Sequence, residues 1–457
     1  MKTLMAITTI VLGSLAPTLA GENSNQVKLD VSPVRSTLKA GEKQTTWLRV
    51  GLEGFKIESD KKRAPVNLAI VLDKSGSMSG EKIVQARRAA IDAINLLGPE
   101  DIISVITYDT TVTVLVPATK LTDRESVTRA INHVQADGST ALFAGVSKGA
   151  AEVRKFLDKE RVNRIVLLSD GIANSGPSSP GELGALGASL LKENISVSTL
   201  GLGLSYNEDL MVQLARKSGG NHHYIENATE LAEVFRREFE DVLSVVAQAI
   251  DVKIQIAEGV RPVRVLGNDS DINGQQIVTH LAQIYSNQNK HVVIEIEVPA
   301  SEEKSQRELA SVSIRYTNLK TKVQDQLTSK SSIRFSQSSE EIEKSLNTSV
   351  LADVVALVSS EQNKLATKYL DEGKLELSRQ VLRDNIHYLD KNSNLVPNDK
   401  RLKVLVTGNN GQLLLLEEAK SNTDSKAMSS RKSQLFLQNT IDQQQSITPA
   451  APSAIAK

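Results

Sequence analysis

Asp73-Lys74-Ser75-Gly76-Ser77 puts one carboxylate and two hydroxyls into a single turn, directly after the apolar run Val66-Asn67-Leu68-Ala69-Ile70-Val71-Leu72. Such a run reads as a strand buried on both faces of a parallel sheet, so the polar cluster stands at a strand's carboxyl end, where doubly wound sheets bind their ligands. Asp73, Ser75 and Ser77 present oxygen alone, a set suited to a hard cation such as Mg²⁺. One turn cannot complete six-fold coordination, so other loops must contribute. Thr140, in Asp137-Gly138-Ser139-Thr140-Ala141-Leu142 ahead of a helix, and Asp170, closing the strand Arg164-Ile165-Val166-Leu167-Leu168, are expected on the same rim. Taken singly, each has an ordinary structural use, since Asp, Ser and Thr cap helices and Asp-Gly forms turns. Their joint occurrence points to a metal.

In order and context, Asp73, Ser75, Ser77, Thr140 and Asp170 resemble the metal-ion-dependent adhesion site of von Willebrand factor type A and integrin inserted domains, and Leu167-Leu168-Ser169-Asp170-Gly171 resembles the same family's strand end. The resemblance spans about Pro65 to Val246. It implies that Ser75 and Ser77 ligate directly, that Thr140 and the two aspartates ligate directly or through water, and that a carboxylate from a protein partner fills the remaining position. Two aspartates neutralise a divalent ion while the hydroxyls add no charge, which leaves the metal electrophilic enough to take an acidic ligand. Mg²⁺, or Mn²⁺ or Ca²⁺, is the expected ion.

Other chemistries lack their signatures. Gly76-Ser77-Met78-Ser79-Gly80-Glu81-Lys82 superficially suggests a phosphate loop, without the Gly-Lys-Ser/Thr ending or its spacing. Gly201-Leu202-Gly203 has no third glycine, and no Gly-x-Ser-x-Gly elbow occurs, so neither nucleotide binding nor an enzymatic activity is expected. A metal-dependent hydrolase needs a general base beside the ion, and the motif spares no His or Glu. His222-His223 would point to opposite faces of a strand and reads as a strand start beside Gly219-Gly220. Lys74 reads as a solvated loop lysine, with attraction of an acidic partner as its alternative use.

Positioning the five oxygens requires a β-α-β alternation from residue 63 to 247. Ile83, Ala86, Ala90, Ile94 and Leu97 fall at helical spacing, followed by strand-like Ile102–Tyr108 and Val112–Val116, helices over 124–134 and 141–157, a helix near 181–192, and the strand Ile195–Leu202. A helix from Ala228 to about Val246 closes this unit, a doubly wound, mostly parallel α/β sheet. Before it, residues 21–62 hold strands with a period of two, and after it, 248–338 alternate again at Val252, Ile254 and Ile256 and at Val292, Ile294, Ile296 and Val298. Pairing of these two parts makes the α/β unit an insertion in a β-sandwich. Residues 339–420 read as helical, with Gly373 as an interruption within an ordinary hairpin, and 421–457, rich in Ser, Asn, Gln and Ala, as a disordered tail.

Lys plus Arg and Asp plus Glu both number 54, so the formal charge is zero and no basic field attracts nucleic acid. Residues 1–20 read as a secretory signal peptide, with Lys2, an apolar stretch and a small-residue site ending at Ala20. No later segment is long and apolar enough to span a bilayer, and with no cysteine there is no disulfide framework. The expectation is an exported binding protein, periplasmic or extracellular, similar to bacterial exported von Willebrand proteins and loosely to inter-alpha-trypsin inhibitor heavy chains. A structural or assembly factor whose metal only stiffens the loops is the alternative.

Overall fold

The computed structural model describes residues 25–57, 63–203, 205–267 and 270–444, so the expected signal segment lies outside the described residues. The first strands are β1 (Val27–Pro33), β2 (Thr37–Lys39) and β3 (Gln44–Gly54), with β1 antiparallel to β3. Alternation along β3 buries Leu48, Val50 and Leu52 on one face.

The alternating unit follows as β4 (Val66–Asp73), α1 (Glu81–Asn95), β5 (Ile102–Tyr108), β6 (Val112–Lys120), α2 (Arg124–Asn132), α3 (Leu142–Arg154), β7 (Val162–Ser169), α4 (Pro180–Lys192), β8 (Ile195–Leu202), α5 (Glu208–Ser218), β9 (His222–Ile225) and α6 (Leu231–Leu243). The six strands lie in the order β6-β5-β4-β7-β8-β9, all parallel except the hairpin edge β6. Every residue of β4, β7 and β8 is buried, as aliphatic runs covered by helices on both faces must be. Ile83 and Ala90 of α1, Ile131 of α2 and Phe235 and Phe239 of α6 cover one face, and Val146 of α3, Leu190 of α4 and Leu214 of α5 cover the other.

The closing helix stops earlier than its pattern suggests. α6 ends at Leu243, and after Ser244 the β-branched pair Val245-Val246 already belongs to β10 (Val245–Ile256), where Val245 lies opposite Tyr285. The inserted unit thus runs into the flanking sheet without a linker. The strands β11 (Arg261–Leu266), β12 (Ser270–Asn273), β13 (Gln276–Tyr285), β14 (Asn289–Val298), β15 (Gln306–Asn318) and β16 (Gln324–Ser336) complete two sheets, ordered β1-β3-β14-β11 and β12-β13-β10-β15-β16-β2. Because β3 pairs with β14 and β2 with β16, chain from before and after the α/β unit shares both sheets around a core that includes Leu48, Ile254, Ile294 and Ile314.

Arg164 of β7 ties the two units together. Fully buried, it donates to Ser198 Oγ (2.7 Å) within the α/β sheet and to Gln283 Oε1 (2.6 Å) and Tyr285 OH (2.9 Å) of β13. Glu238 of α6, 3.4 Å away, supplies the counter-charge.

Helices α7 (Ser339–Lys344), α8 (Thr348–Asp371), α9 (Leu375–Ser393), α10 (Lys400–Glu418) and α11 (Ser425–Asp442) follow. α8 sets Val350, Val354 and Leu357 against Val34, Leu266 and Val293 of the sandwich. Gly373, at φ 73°, supplies the left-handed turn between α8 and α9. While 445–457 lie outside the described residues, over 425–442 α11 corrects the expectation of a disordered tail. Asp424 caps it, and much of what it buries is polar: Gln438 donates to Thr367 Oγ1 (2.9 Å), Thr367 Oγ1 donates to Gln434 Oε1 (2.7 Å) and Ser430 donates to Gln412 O (3.2 Å). A helix held by hydrogen bonds rather than an apolar stripe carries a composition that resembles disorder.

Candidate metal centre

Asp73 ends β4 and is wholly buried, with its carboxylate held on both oxygens. Oδ1 accepts from the Ser75 amide (2.8 Å), and Oδ2 accepts from Ser169 Oγ (2.7 Å) and Tyr108 OH (3.3 Å). Burial pushes this carboxyl above its ordinary range, against the hydrogen bonds from Ser75 and Ser169, so a cation at Asp73 would relieve a real desolvation penalty. The turn after it runs through Ser75 and Ser77, whose Oγ atoms lie 3.1 Å apart.

Two other loops are zipped onto that turn by main-chain hydrogen bonds. Gly76 N donates to Gly138 O (2.9 Å), Asp137 N to Lys74 O (2.7 Å), and Lys74 N to Tyr108 O (2.8 Å). Gly138 has φ 79°, and a Cβ there would meet Thr110 Oγ1 at 2.8 Å, so glycine is required for this close passage. From the same loop comes Thr140, buried, whose amide donates to Asn174 Oδ1 (2.9 Å) while its carbonyl accepts from the Asn174 amide (3.2 Å).

Asp170, at the end of β7, is also wholly buried, and its Oδ1 accepts from Ser77 Oγ at 2.6 Å. Thr140 converges on the same point: a Cβ built on Gly171 would lie 3.0 Å from Thr140 Oγ1 and 3.3 Å from Ser77 Oγ. All five expected side chains therefore stand on one rim, contributed by the loops after β4 and β7 and the loop before α3. Two carboxylates and three hydroxyls fit a hard divalent ion in both donor type and charge. Among the described residues no three His, Asp or Glu side chains gather as metal ligands, so the rim's donors are hydroxyls as much as acids.

Several neighbours escape a reading of the motif alone. Lys82, in the first turn of α1, forms an ion pair with Asp170 Oδ2 and lies 3.3 Å from Ser77 O. Its signal in the sequence is Gly80-Glu81-Lys82, the end of the segment that superficially suggests a phosphate loop. Ser169 and Tyr108, which brace Asp73, sit at the ends of neighbouring strands; Ser169 lies within the Leu167–Gly171 strand end already singled out, whereas nothing in one sequence marks Tyr108. Lys74 is half-buried and forms an ion pair with Asp109 rather than standing as a fully solvated loop lysine. Burial opposes, but Lys74 and the Thr111 amide and hydroxyl hold the Asp109 carboxyl below its usual range. The histidine pair behaves as strand geometry requires: His222 bonds Thr199 Oγ1 (2.8 Å) on one face, and His223 meets Glu238 (3.1 Å) on the other.

A covered, mostly parallel sheet with an oxygen-only rim at its strand ends defines a class of ligand-binding α/β domain. The family model for the von Willebrand factor type A domain matches residues 67–237, and the chain contains a domain of that family. Such domains generally mediate protein–protein interaction and commonly bind a divalent cation at their adhesion site. The chain is 32% identical over 190 residues to an uncharacterized protein, sll0103, of Synechocystis, covering 42% of this chain and 44% of that protein. It is 31% identical over 215 residues to the uncharacterized protein YfbK of Escherichia coli, covering 47% and 37%, and 28% identical over 194 residues to human inter-alpha-trypsin inhibitor heavy chain H4, covering 41% and 21%. It thus spans less than half the length of these curated relatives.

Among solved structures, a von Willebrand factor type A protein from Catenulispora acidiphila has a TM-score of 0.67 at 14% identity, over 92% of this chain and 97% of that one. The ArnB paralog VWA2 of Sulfolobus acidocaldarius gives 0.61 at 16%, over 91% and 98%. The shared fold therefore extends beyond the α/β unit. No described helix is long and apolar enough to cross a membrane.

Proposed function

We propose that this is an exported, divalent-cation-dependent binding protein in which Asp73, Ser75, Ser77, Thr140 and Asp170 hold Mg²⁺, or Mn²⁺ or Ca²⁺, and a protein partner offers an acidic side chain to the rim. The observation that carries the reading is the convergence of Ser77, Thr140 and Asp170, residues far apart in sequence, around Gly171. When bound, the cation supplies an electrophilic position for the partner's carboxylate. Asp73 and Asp170 would balance its charge, and Ser75, Ser77 and Thr140 would offer hydroxyl oxygens without adding charge of their own. Tyr108 and Ser169 fix Asp73 so that this geometry is set before the ion arrives.

The test is a calorimetric titration of Mn²⁺ into the full chain and into Asp73→Ala. The wild type should release or absorb heat with a stoichiometry near one, and the variant, still folded by circular dichroism, should not. Equal heats from the two would overturn the assignment.

A further inference from the structure

The two acids of the rim are neutralised in different ways. Asp73 takes only neutral donors, from Ser75, Ser169 and Tyr108. Asp170 gives one oxygen to the Ser77 hydroxyl and the other to the Lys82 ammonium. Asp170 is wholly buried, whereas the Lys82 side chain is 35% exposed, so one end of this ion pair is fixed and the other reaches solvent along a flexible stem. Helix energetics do not account for the lysine: Lys82 sits in the first turn of α1, where the helix dipole disfavours a cation. Gly80, at φ 77°, turns the chain so that α1 starts beside the rim, and the lysine's favourable contacts are the Asp170 carboxylate and the Ser77 carbonyl.

We propose that Lys82 is a tethered counter-ion for the metal centre, holding Asp170 in the metal-free protein and yielding it when a divalent ion binds, so that this residue sets the concentration at which the rim loads. The inference rests on the metal-site reading above. An ammonium and a divalent ion cannot both contact one carboxylate oxygen without strong repulsion, so each weakens the other's hold on Asp170. In the metal-free state Lys82 spares the fold an unpaired buried charge. Once displaced, its ammonium stands at the rim, where it adds a second positive element for an acidic partner to meet.

The experiment compares Mn²⁺ affinity by calorimetry in the full wild-type chain, Lys82→Met and Lys82→Gln, with thermal melting of each in EDTA. Gln keeps a hydrogen-bond donor for Asp170 without the charge, so it remains informative if Met destabilises the fold. Both variants should bind Mn²⁺ about tenfold more tightly or better. Both should also melt at lower temperature in EDTA and gain more from added Mn²⁺ than the wild type does. A wild type that binds Mn²⁺ together with variants that bind equally or more weakly overturns the role of Lys82 alone. A wild type whose heat is absent, or survives Asp73→Ala, overturns the metal centre and this inference with it.

Discussion

Arg164 of the α/β sheet donates a 2.6 Å hydrogen bond to Oε1 of Gln283, a residue of the sandwich 119 positions further along the chain. The guanidinium is fully buried and also bonds Ser198 and Tyr285, with Glu238 as its counter-charge. Replacing it with Met removes the guanidinium from Glu238, leaving it Ser198, Asn221 and His223, and takes the donors from Gln283 and Tyr285 across the seam. Arg164→Met should destabilise the protein by about 3–5 kcal/mol. Urea unfolding followed by circular dichroism would measure it, and a loss within about 0.5 kcal/mol, the range of an ordinary surface change, would show the seam to be dispensable.

Gly171 offers a local probe of the rim. Its backbone is outside the left-handed region, so alanine brings no φ penalty, yet the new methyl would press on Thr140 Oγ1 and Ser77 Oγ. Gly171→Ala should therefore weaken Mn²⁺ binding by about tenfold while shifting the melting temperature by only a few degrees. Unchanged affinity would mean that neither hydroxyl contributes to coordination.

Stability should fall on mild acidification because two histidines are buried as neutral rings. Burial pushes the His222 imidazole down to about 3, with His223 and Lys432 acting in the same direction. Burial likewise pushes His291 down to about 4, opposed by the nearby Asp353 carboxylate. The unfolded chain takes up protons near pH 6.5, and the native state refuses them until far lower pH. Each ring's contribution is complete above about pH 6.5 and is lost, by up to about 1.4 kcal/mol per pH unit, as the pH falls toward its folded value. Asp241, pushed up to about 7 by burial, acts in the opposite sense over the same range, so the histidine effect is read by difference. Urea unfolding between pH 7.5 and 4.5 should show a smaller loss of stability in His222→Gln than in the wild type, and parallel profiles for the two would contradict the buried neutral state.

The final helix makes a distinct prediction about truncation. Arg431 donates to Asp209 Oδ2 (2.8 Å) and Lys432 to Glu208 Oε2 (2.6 Å), and Lys432 also lies 4.2 Å from the Tyr206 ring, so α11 grips the start of α5. Ending the chain after Lys420 should lower the melting temperature by several degrees and expose apolar surface that binds a reporter dye. Melting equal to that of the full chain would mean that α11 adds nothing to the fold.

The scaffold, and the placing of the candidate residues on one rim, were largely legible in the sequence, for a physical reason. A strand buried on both faces has to be apolar throughout, so β4 and β7 announce themselves, and the first polar residues after each, Asp73 and Asp170, are placed by the same pattern. Thr140 was found through its neighbours, since Gly138 and the following helix mark a loop on the same rim. What the pattern hid depends on pairing across the fold. Lys82 was obscured because an exposed lysine at the head of a helix looks solvated until the partner acid is in view. Helix α11 was hidden because its buried face sets only Ala427, Leu437 and Ile441 among Ser430, Gln434, Gln438, Asn439 and other polar residues, too sparse an apolar stripe for hydrophobic periodicity to register. The end of α6 was misplaced by a few residues, as Val245 and Val246 fit the apolar stripe of a helix and the inner face of a strand equally well.

The absence of a linker between α6 and β10 bears on how firmly the two units are joined. The rim stands at the carboxyl ends of β4 and β7, and the α/β unit is rooted at the opposite end, where β4 begins and α6 gives way directly to β10. β10 lies inside its sheet, bonded along its length to β13 on one side and β15 on the other. A pull applied to the α/β unit through α6 would therefore reach a strand held by hydrogen-bond ladders on both sides, with no slack segment between to absorb it.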